Sequence, residues 1–310
     1  MSSGSTLSRR VLKAISIFGT VQMITMLCSV IRVKCVALWM GASGIGLFGM
    51  LNQAVEMLTQ ISQLNIRESG VRAIVMNPVS RDFISSIVSR LSIYLGLVGA
   101  LLTLSLAPVL GRLTFGEPGH SGVFLALSVV VFLRVLIAGR QSILQAHRKL
   151  KRLASATLWG NLAGTGISIV LFRLFGLDSI VPAIIVFAVV TWMSYRMGIK
   201  EYSPTRITLN TVIAESKPIV TLGVYMTIAA FISSLSTYLF LVWLRNYEDE
   251  ESVGYYQAGF TIISQYVGLV FVAISLEFYP RVAAVINSRF PTSVYVRHEI
   301  ILLECLLVGC

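Results

Sequence analysis

Residues 121–146 read SGVFLALSVVVFLRVLIAGRQSILQA. From Ser121 to Gly139 the only charge is Arg134, so a stretch long enough to cross a bilayer carries one cation near its middle. A charge at that depth is costly and marks a polar interior or a partner on a neighbouring helix. Two things follow from these residues. The segment is a membrane helix, and Arg134 is a candidate functional residue.

The same pattern recurs outward in both directions. Uncharged stretches predict helices near 12–37, 45–66, 82–110, 153–174, 178–197, 215–244 and 253–278, besides 121–146, and a ninth starts near His298. Across 310 residues, 55% are apolar and 13% charged, with a mean hydropathy of +0.81. A soluble protein carries about 25% charge. The deficit excludes a soluble enzyme, a disordered chain and a disulfide scaffold. Short strands of alternating polarity, the mark of an outer-membrane barrel, are missing too. The expected fold is all-α, a polytopic transmembrane helix bundle. Residues 1–200 form an N-terminal six-helix lobe, and 201–310 form part of a second lobe.

The net charge of +11 agrees with this reading without invoking nucleic acid, for which no motif is present. With the N-terminus on the cytoplasmic side, eighteen Lys and Arg fall in cytoplasmic segments. Five fall on the opposite side, namely Arg32, Lys34, Arg112, Arg173 and Arg245. That asymmetry is the positive-inside pattern. The N-terminal run after Lys13 lacks an Ala-x-Ala cleavage site and is read as a retained span. Cys28, Cys35, Cys305 and Cys310 lie in apolar segments without metal-ligand spacing. No HExxH, P-loop, GxSxG or Cys-x-x-Cys is present, so no catalytic or cofactor site is expected.

The polar residues inside the spans are not scattered. At 100° per residue, Gln53, Glu56, Gln60 and Gln63 share one sector of the second helix. Gln22, Thr25, Ser29 and Arg32 align on the first, Thr157, Asn161, Thr165 and Ser168 on the fifth, and Gln257, Thr261 and Ser264 on the eighth. Such stripes build either a hydrophilic cavity or hydrogen bonds in a dry bundle, where each bond is worth only ~0.6 kcal/mol. Glu56 among three glutamines favours the cavity. Arg32, Lys34, Arg90 and Arg134 outnumber the acids Glu56 and Glu277 within the spans, so the cavity should attract an anion. Snorkelling to the headgroups is the competing placement for Arg32, Lys34 and Arg90. Gly160 and Gly164 form a GxxxG read as close helix packing. A weak internal echo relates Ile45-Gly46-Leu47-Phe48 to Val253-Gly254-Tyr255-Tyr256, six helices apart, as in transporters built from parallel repeats.

Several motifs carry a family resemblance. Arg32-Val33-Lys34-Cys35-Val36-Ala37-Leu38-Trp39-Met40-Gly41 followed by Gly44-Ile45-Gly46-Leu47-Phe48-Gly49 is similar to the first-to-second helix junction of bacterial polysaccharide flippases. So are Gly70-Val71-Arg72, Gly254-Tyr255-Tyr256-Gln257-Ala258 and Phe278-Tyr279-Pro280-Arg281. The chain resembles the O-antigen translocases of the multidrug, oligosaccharidyl-lipid and polysaccharide exporter superfamily over residues 7 to 285. The resemblance implies a bacterial inner-membrane flippase that moves undecaprenyl-diphosphate-linked oligosaccharide to the periplasmic leaflet by alternating access. Membrane lipids and O-antigen polymerase machinery are the partners it implies. Arg32 matches an arginine on the first helix of related peptidoglycan-precursor flippases. Family members usually have at least twelve spans, whereas this chain stops within a ninth.

The substrate-binding residues expected are Arg32, Lys34, Arg90, Arg134, Glu56, Gln53, Gln60 and Asn161. Two other readings compete: a cation-coupled multidrug exporter of the same superfamily, which would need buried acids, and an inactive membrane scaffold.

Overall fold

The computed structural model describes residues 3–77, 79–116, 119–197 and 209–264. Glu277, His298, Cys305, Cys310 and the ninth helix lie outside the described residues. Among those described there is no strand. The chain divides into two compact units, Thr25–Ile262 and Met1–Ile24 with Ile263–Cys310. The second contributes to the description only helical residues 3–24 and 263–264. Apart from the outer bounds of two helices, everything below concerns Thr25–Ile262, which takes in helices from both expected lobes.

The helices are α1 (Ser3–Gln63), α2 (Ile66–Met76), α3 (Arg81–Phe115), α4 (Ser121–Ala146), α5 (Leu150–Phe175), α6 (Ile180–Met197) and α7 (Leu209–Tyr247). Residues 250–264 are also helical. A straight α1 of 61 residues would be about 90 Å long, against ~30 Å of hydrocarbon. Gly41 breaks it. Its φ of 71° and ψ of −164° are open to glycine and strained for any other residue, so two spans result where the continuous hydrogen-bond pattern shows one. Gly176, at φ 57°, ends α5, and a 3-10 turn (Gly176–Ser179) leads into α6. Among the described residues, five helical stretches are long and apolar enough to cross a membrane, and these two glycine breaks divide the two longest. The chain is a multi-pass membrane protein.

The outward faces confirm the solvent. Leu38, Leu101, Trp159, Leu174 and Trp243 are exposed, as lipid-facing side chains should be. Since lipid is as apolar as leucine, the helices must hold together by close packing rather than by hydrophobic burial. Small residues provide it. A Cβ on Gly160 would lie 3.1 Å from Thr191 Cα, and one on Gly164 2.7 Å from Phe187, so the GxxxG of α5 is where α6 docks. Buried Ser62, Ser92, Thr103 and Ser168 bond the carbonyl one turn earlier on their own helices, which satisfies them without water.

The internal echo has a spatial meaning. A Cβ on Gly46 would meet Glu250 O at 2.6 Å and Gly254 N at 3.1 Å, and one on Gly254 would strike Ala42 O. The two echoed segments therefore pack directly on each other, backbone to backbone. At the opposite end of the bundle the short helix α2, which falls between two predicted spans, packs on α4: it buries Ile66, Ser69, Gly70 and Ile74, and a Cβ on Gly70 would strike the Ser142 hydroxyl.

Candidate functional site

An open cavity of about 470 Å³ lies among α1, α4, α6 and α7 at the end that carries α2. Its wall includes Glu56, Thr59, Gln60 and Gln63 of α1, Arg134 and Gln141 of α4, Phe187 and Thr191 of α6, and Ala230 of α7. Asn65, Arg67 and Glu68 stand at its mouth. The stripe on the second half of α1 and the polar face of α4 thus converge, as their shared helical sectors require.

At the floor, Arg134 Nη1 donates to Glu56 Oε2 at 2.9 Å. The other Glu56 oxygen accepts from Gln60 Nε2 at 2.9 Å, and Gln60 Oε1 accepts from Gln63 Nε2 at 2.9 Å. A chain of amides therefore runs from the mouth down to the ion pair. On the far wall Gln141 Nε2 donates to the Tyr195 hydroxyl at 2.8 Å, which lies 2.6 Å from Thr157 Oγ1. Each residue in this chain has polar atoms to offer on one side and a fixed partner on the other. That is how a binding surface is pre-oriented.

Arg32 lies behind Arg134. Both line a small cavity of about 30 Å³, with Phe48, Asn52, Ser168 and Phe187. The Arg32 guanidinium sits 4.4 Å over the Phe187 ring and 5.5 Å from that of Phe48, an arrangement favourable to a cation. Its Nε is buried without a hydrogen-bond partner. Arg32 is therefore held by aromatic faces, with a donor uncommitted in a space of roughly one water's size.

The remaining candidates fall elsewhere. Gln53 donates to Ser234 O on α7 at 3.1 Å and lines neither cavity. Asn161 donates to Thr157 O on its own helix at 2.9 Å and lines neither. Lys34 and Arg90 are exposed and also outside both. Charge in the larger cavity is more balanced than the sequence count implies: Arg134 and Arg67 face Glu56 and Glu68. Arg32 is what tips the floor toward positive.

Toward the other end the bundle is filled by Met50, Leu51, Phe124, Leu127, Tyr238 and Leu241. Beyond these, Thr114 Oγ1 and the Tyr238 hydroxyl lie 2.8 Å apart. Arg245 Nη2 donates to Phe115 O and to Glu250 Oε1, each at 2.7 Å. These bonds tie the end of α3 to α7 and to the start of the following helix. Sequence reasoning placed Arg245 on the non-cytoplasmic side, just past the span 215–244, and did not foresee this closure, because Phe115 is 130 residues away in the chain. The cavity is open at one end and sealed at the other.

This architecture is similar to that of solved transporters. A MOP-superfamily transporter from Pyrococcus furiosus, described as having a binding pocket of reversed polarity, superimposes with a TM-score of 0.60 at 18% identity, over 86% of this chain and 63% of its own. A multidrug-resistance MATE family transporter in an inward-facing conformation gives 0.58 at 18% identity, over 83% and 60%. A MATE protein in complex with Br-NRF gives 0.54 at 17%, over 92% and 71%. The chain thus spans less than two thirds of the length of the first two. A search of curated proteins finds no match. Residues 11–285 match the family described as polysaccharide biosynthesis protein. Sharing its fold with MOP-superfamily transporters and matched over that length, the chain belongs to the polysaccharide biosynthesis protein family.

Proposed function

We propose that the protein is a flippase for a polyprenyl-diphosphate-linked oligosaccharide, and that the cavity takes up the diphosphate and the adjoining sugar. The observation that carries this reading is the floor of the cavity: Arg134 held by a single carboxylate, with the Arg32 Nε unpaired behind it. A diphosphate presents several acceptor oxygens, which guanidinium groups bind in forked pairs. The amide chain Gln63–Gln60 and the far-wall Gln141 supply donors and acceptors suited to sugar hydroxyls. A volume of about 470 Å³ falls within the ~300–1,000 Å³ of small-molecule sites, so the polyprenyl tail would stay in lipid.

In this reading the conformation is the loading state. The open mouth lies at the end rich in Lys and Arg, which the positive-inside rule assigns to the cytoplasm of an inner membrane. Release requires the Arg245 and Tyr238 bonds to part while the mouth closes, by rocking of the two six-helix lobes expected at residues 1–200 and beyond. Export of a cationic drug would want a free carboxylate deep in the cavity, and Glu56 is committed to Arg134.

The test is complementation of a flippase-deficient strain with the wild-type gene and with R32A/R134A. Surface polysaccharide should be displayed with the former and lost with the latter, at equal protein in the membrane. Normal display with the double variant would overturn the proposal.

A further inference from the structure

A second concavity, of about 670 Å³, lies on the outer flank between α2 and the beginning of α7. Its composition differs from that of the transport cavity. Met76, Pro218, Ile219, Leu222 and Tyr225 make it apolar, and among the described residues Arg72 and Lys217 are the charges that line it, with no acid. Met76 is 63% and Tyr225 72% exposed, and both cations are exposed as well.

The two spaces are separate by construction. α2 buries Ile66, Ser69, Gly70 and Ile74, and its Arg67 and Glu68 face the transport cavity. Arg72 and Ala73, with Met76 four and three residues further on, turn to the flank. On α7, Lys217, Thr221 and Tyr225 repeat every four residues along the groove, whereas Ala230 lies on the transport cavity. Between them Gly223 packs on the backbone of Leu64, in the turn before α2, and α2 itself contacts α7.

We propose that this groove binds an anionic glycerophospholipid of the surrounding leaflet, its phosphate between Arg72 and Lys217 and one acyl chain along Met76, Ile219, Leu222 and Tyr225. Two cations without an acid, at the edge of an apolar trough beside the membrane-spanning stretch that starts at Glu215, complement a lipid with a negative head and an apolar tail. Basic pockets between membrane helices recognise phospholipid heads in this way. A soluble anion would have no use for the apolar trough, and a zwitterionic lipid brings no net negative charge to offset either cation. A lipid seated there would bridge α2, which is packed on α4, to α7. It would brace the rim of the transport cavity whatever that cavity carries.

Native mass spectrometry of the full chain tests this, after purification from equimolar phosphatidylglycerol and phosphatidylcholine. Two basic contacts should favour retained phosphatidylglycerol by about thirtyfold. R72A/K217A should abolish the preference, R72K/K217R should keep it, and K34A/R90A, which removes exposed cations elsewhere, should keep it too. Equal retention of the two lipids by the wild type would overturn the proposal, as would an undiminished preference in R72A/K217A. Displacement of bound phosphatidylglycerol by a stoichiometric polyprenyl diphosphate would also overturn it, by showing that the groove receives the cargo lipid instead. The readout needs no transport, so failure of the flippase reading leaves this result unchanged.

Discussion

Replacing Glu56 by Gln should tighten diphosphate binding. The pair Arg134–Glu56 is 2.9 Å long, and its side chains are 28% and 44% exposed. At that distance and an effective dielectric of ~20, the gross attraction is about 6 kcal/mol. Water at the open floor removes most of it, and the net worth of a hydrogen bond to a charged group is about 1.5–3 kcal/mol. An incoming diphosphate must displace this interaction and then sit beside a carboxylate. Glu56→Gln removes both penalties, while its amide oxygen still accepts from Gln60. A gain of about 1–3 kcal/mol corresponds to roughly 5- to 150-fold tighter binding. The assay is calorimetric titration of geranyl diphosphate into the purified chain in lipid nanodiscs. Without ligand, the variant should melt earlier than the wild type, because Arg134 has lost its partner; ligand should restore it. Equal or weaker binding by the Glu56→Gln protein would refute the idea that Glu56 occupies the anion's place.

Other outcomes follow from the same contacts. Arg245→Ala should release the tie to Phe115 O and Glu250, and spin labels at the ends of α3 and α7 should then report a broader and longer distance distribution than in wild type. Gly254→Ala should be destabilised by about 1–3 kcal/mol through overpacking on Ala42 O, read as a lower melting temperature, whereas Gly259→Ala, with open space around it, should be tolerated. His147, just past the end of α4, lies 2.9 Å from Ser85 Oγ, and its pKa is lowered from 6.5, mainly by desolvation, with Lys149 and Arg81 adding and Asp82 opposing. The unfolded chain then binds more protons than the folded one in that window. Stability should therefore be full above about pH 6.5 and fall as pH drops through the lower folded value. A melting-temperature series should show this fall in the wild type and a flatter profile for His147→Gln.

How much of this was legible in the sequence varies with the kind of information. The span at 121–146 coincides with α4, because one buried helix shows its length directly as an uncharged run. Helix rotation was legible only where polar residues formed a stripe. Glu56, Gln60 and Gln63 indeed share a wall with Arg134. Asn161 belonged to a stripe as regular, yet it bonds its own helix, since Ser, Thr and Asn can satisfy themselves locally. Lys34 and Arg90 could not be oriented, because a lone cation on a span gives no phase. α2 was missed because a short amphipathic helix between spans has the composition of a loop. The Arg245 closure and the contact of Gly46 with Gly254 join residues far apart in the chain, and no local pattern announces such pairs.

The central claim is that Arg134 and Arg32 receive a diphosphate at the floor of the cavity. A structure of the full chain with a bound polyprenyl diphosphate tests it most directly. Phosphate oxygens should lie within hydrogen-bonding distance of the Arg134 guanidinium, with Glu56 turned away and Arg32 Nε engaged directly or through one water. A diphosphate seated against Lys34 or Arg90 while the Arg134–Glu56 pair stays closed would contradict the account.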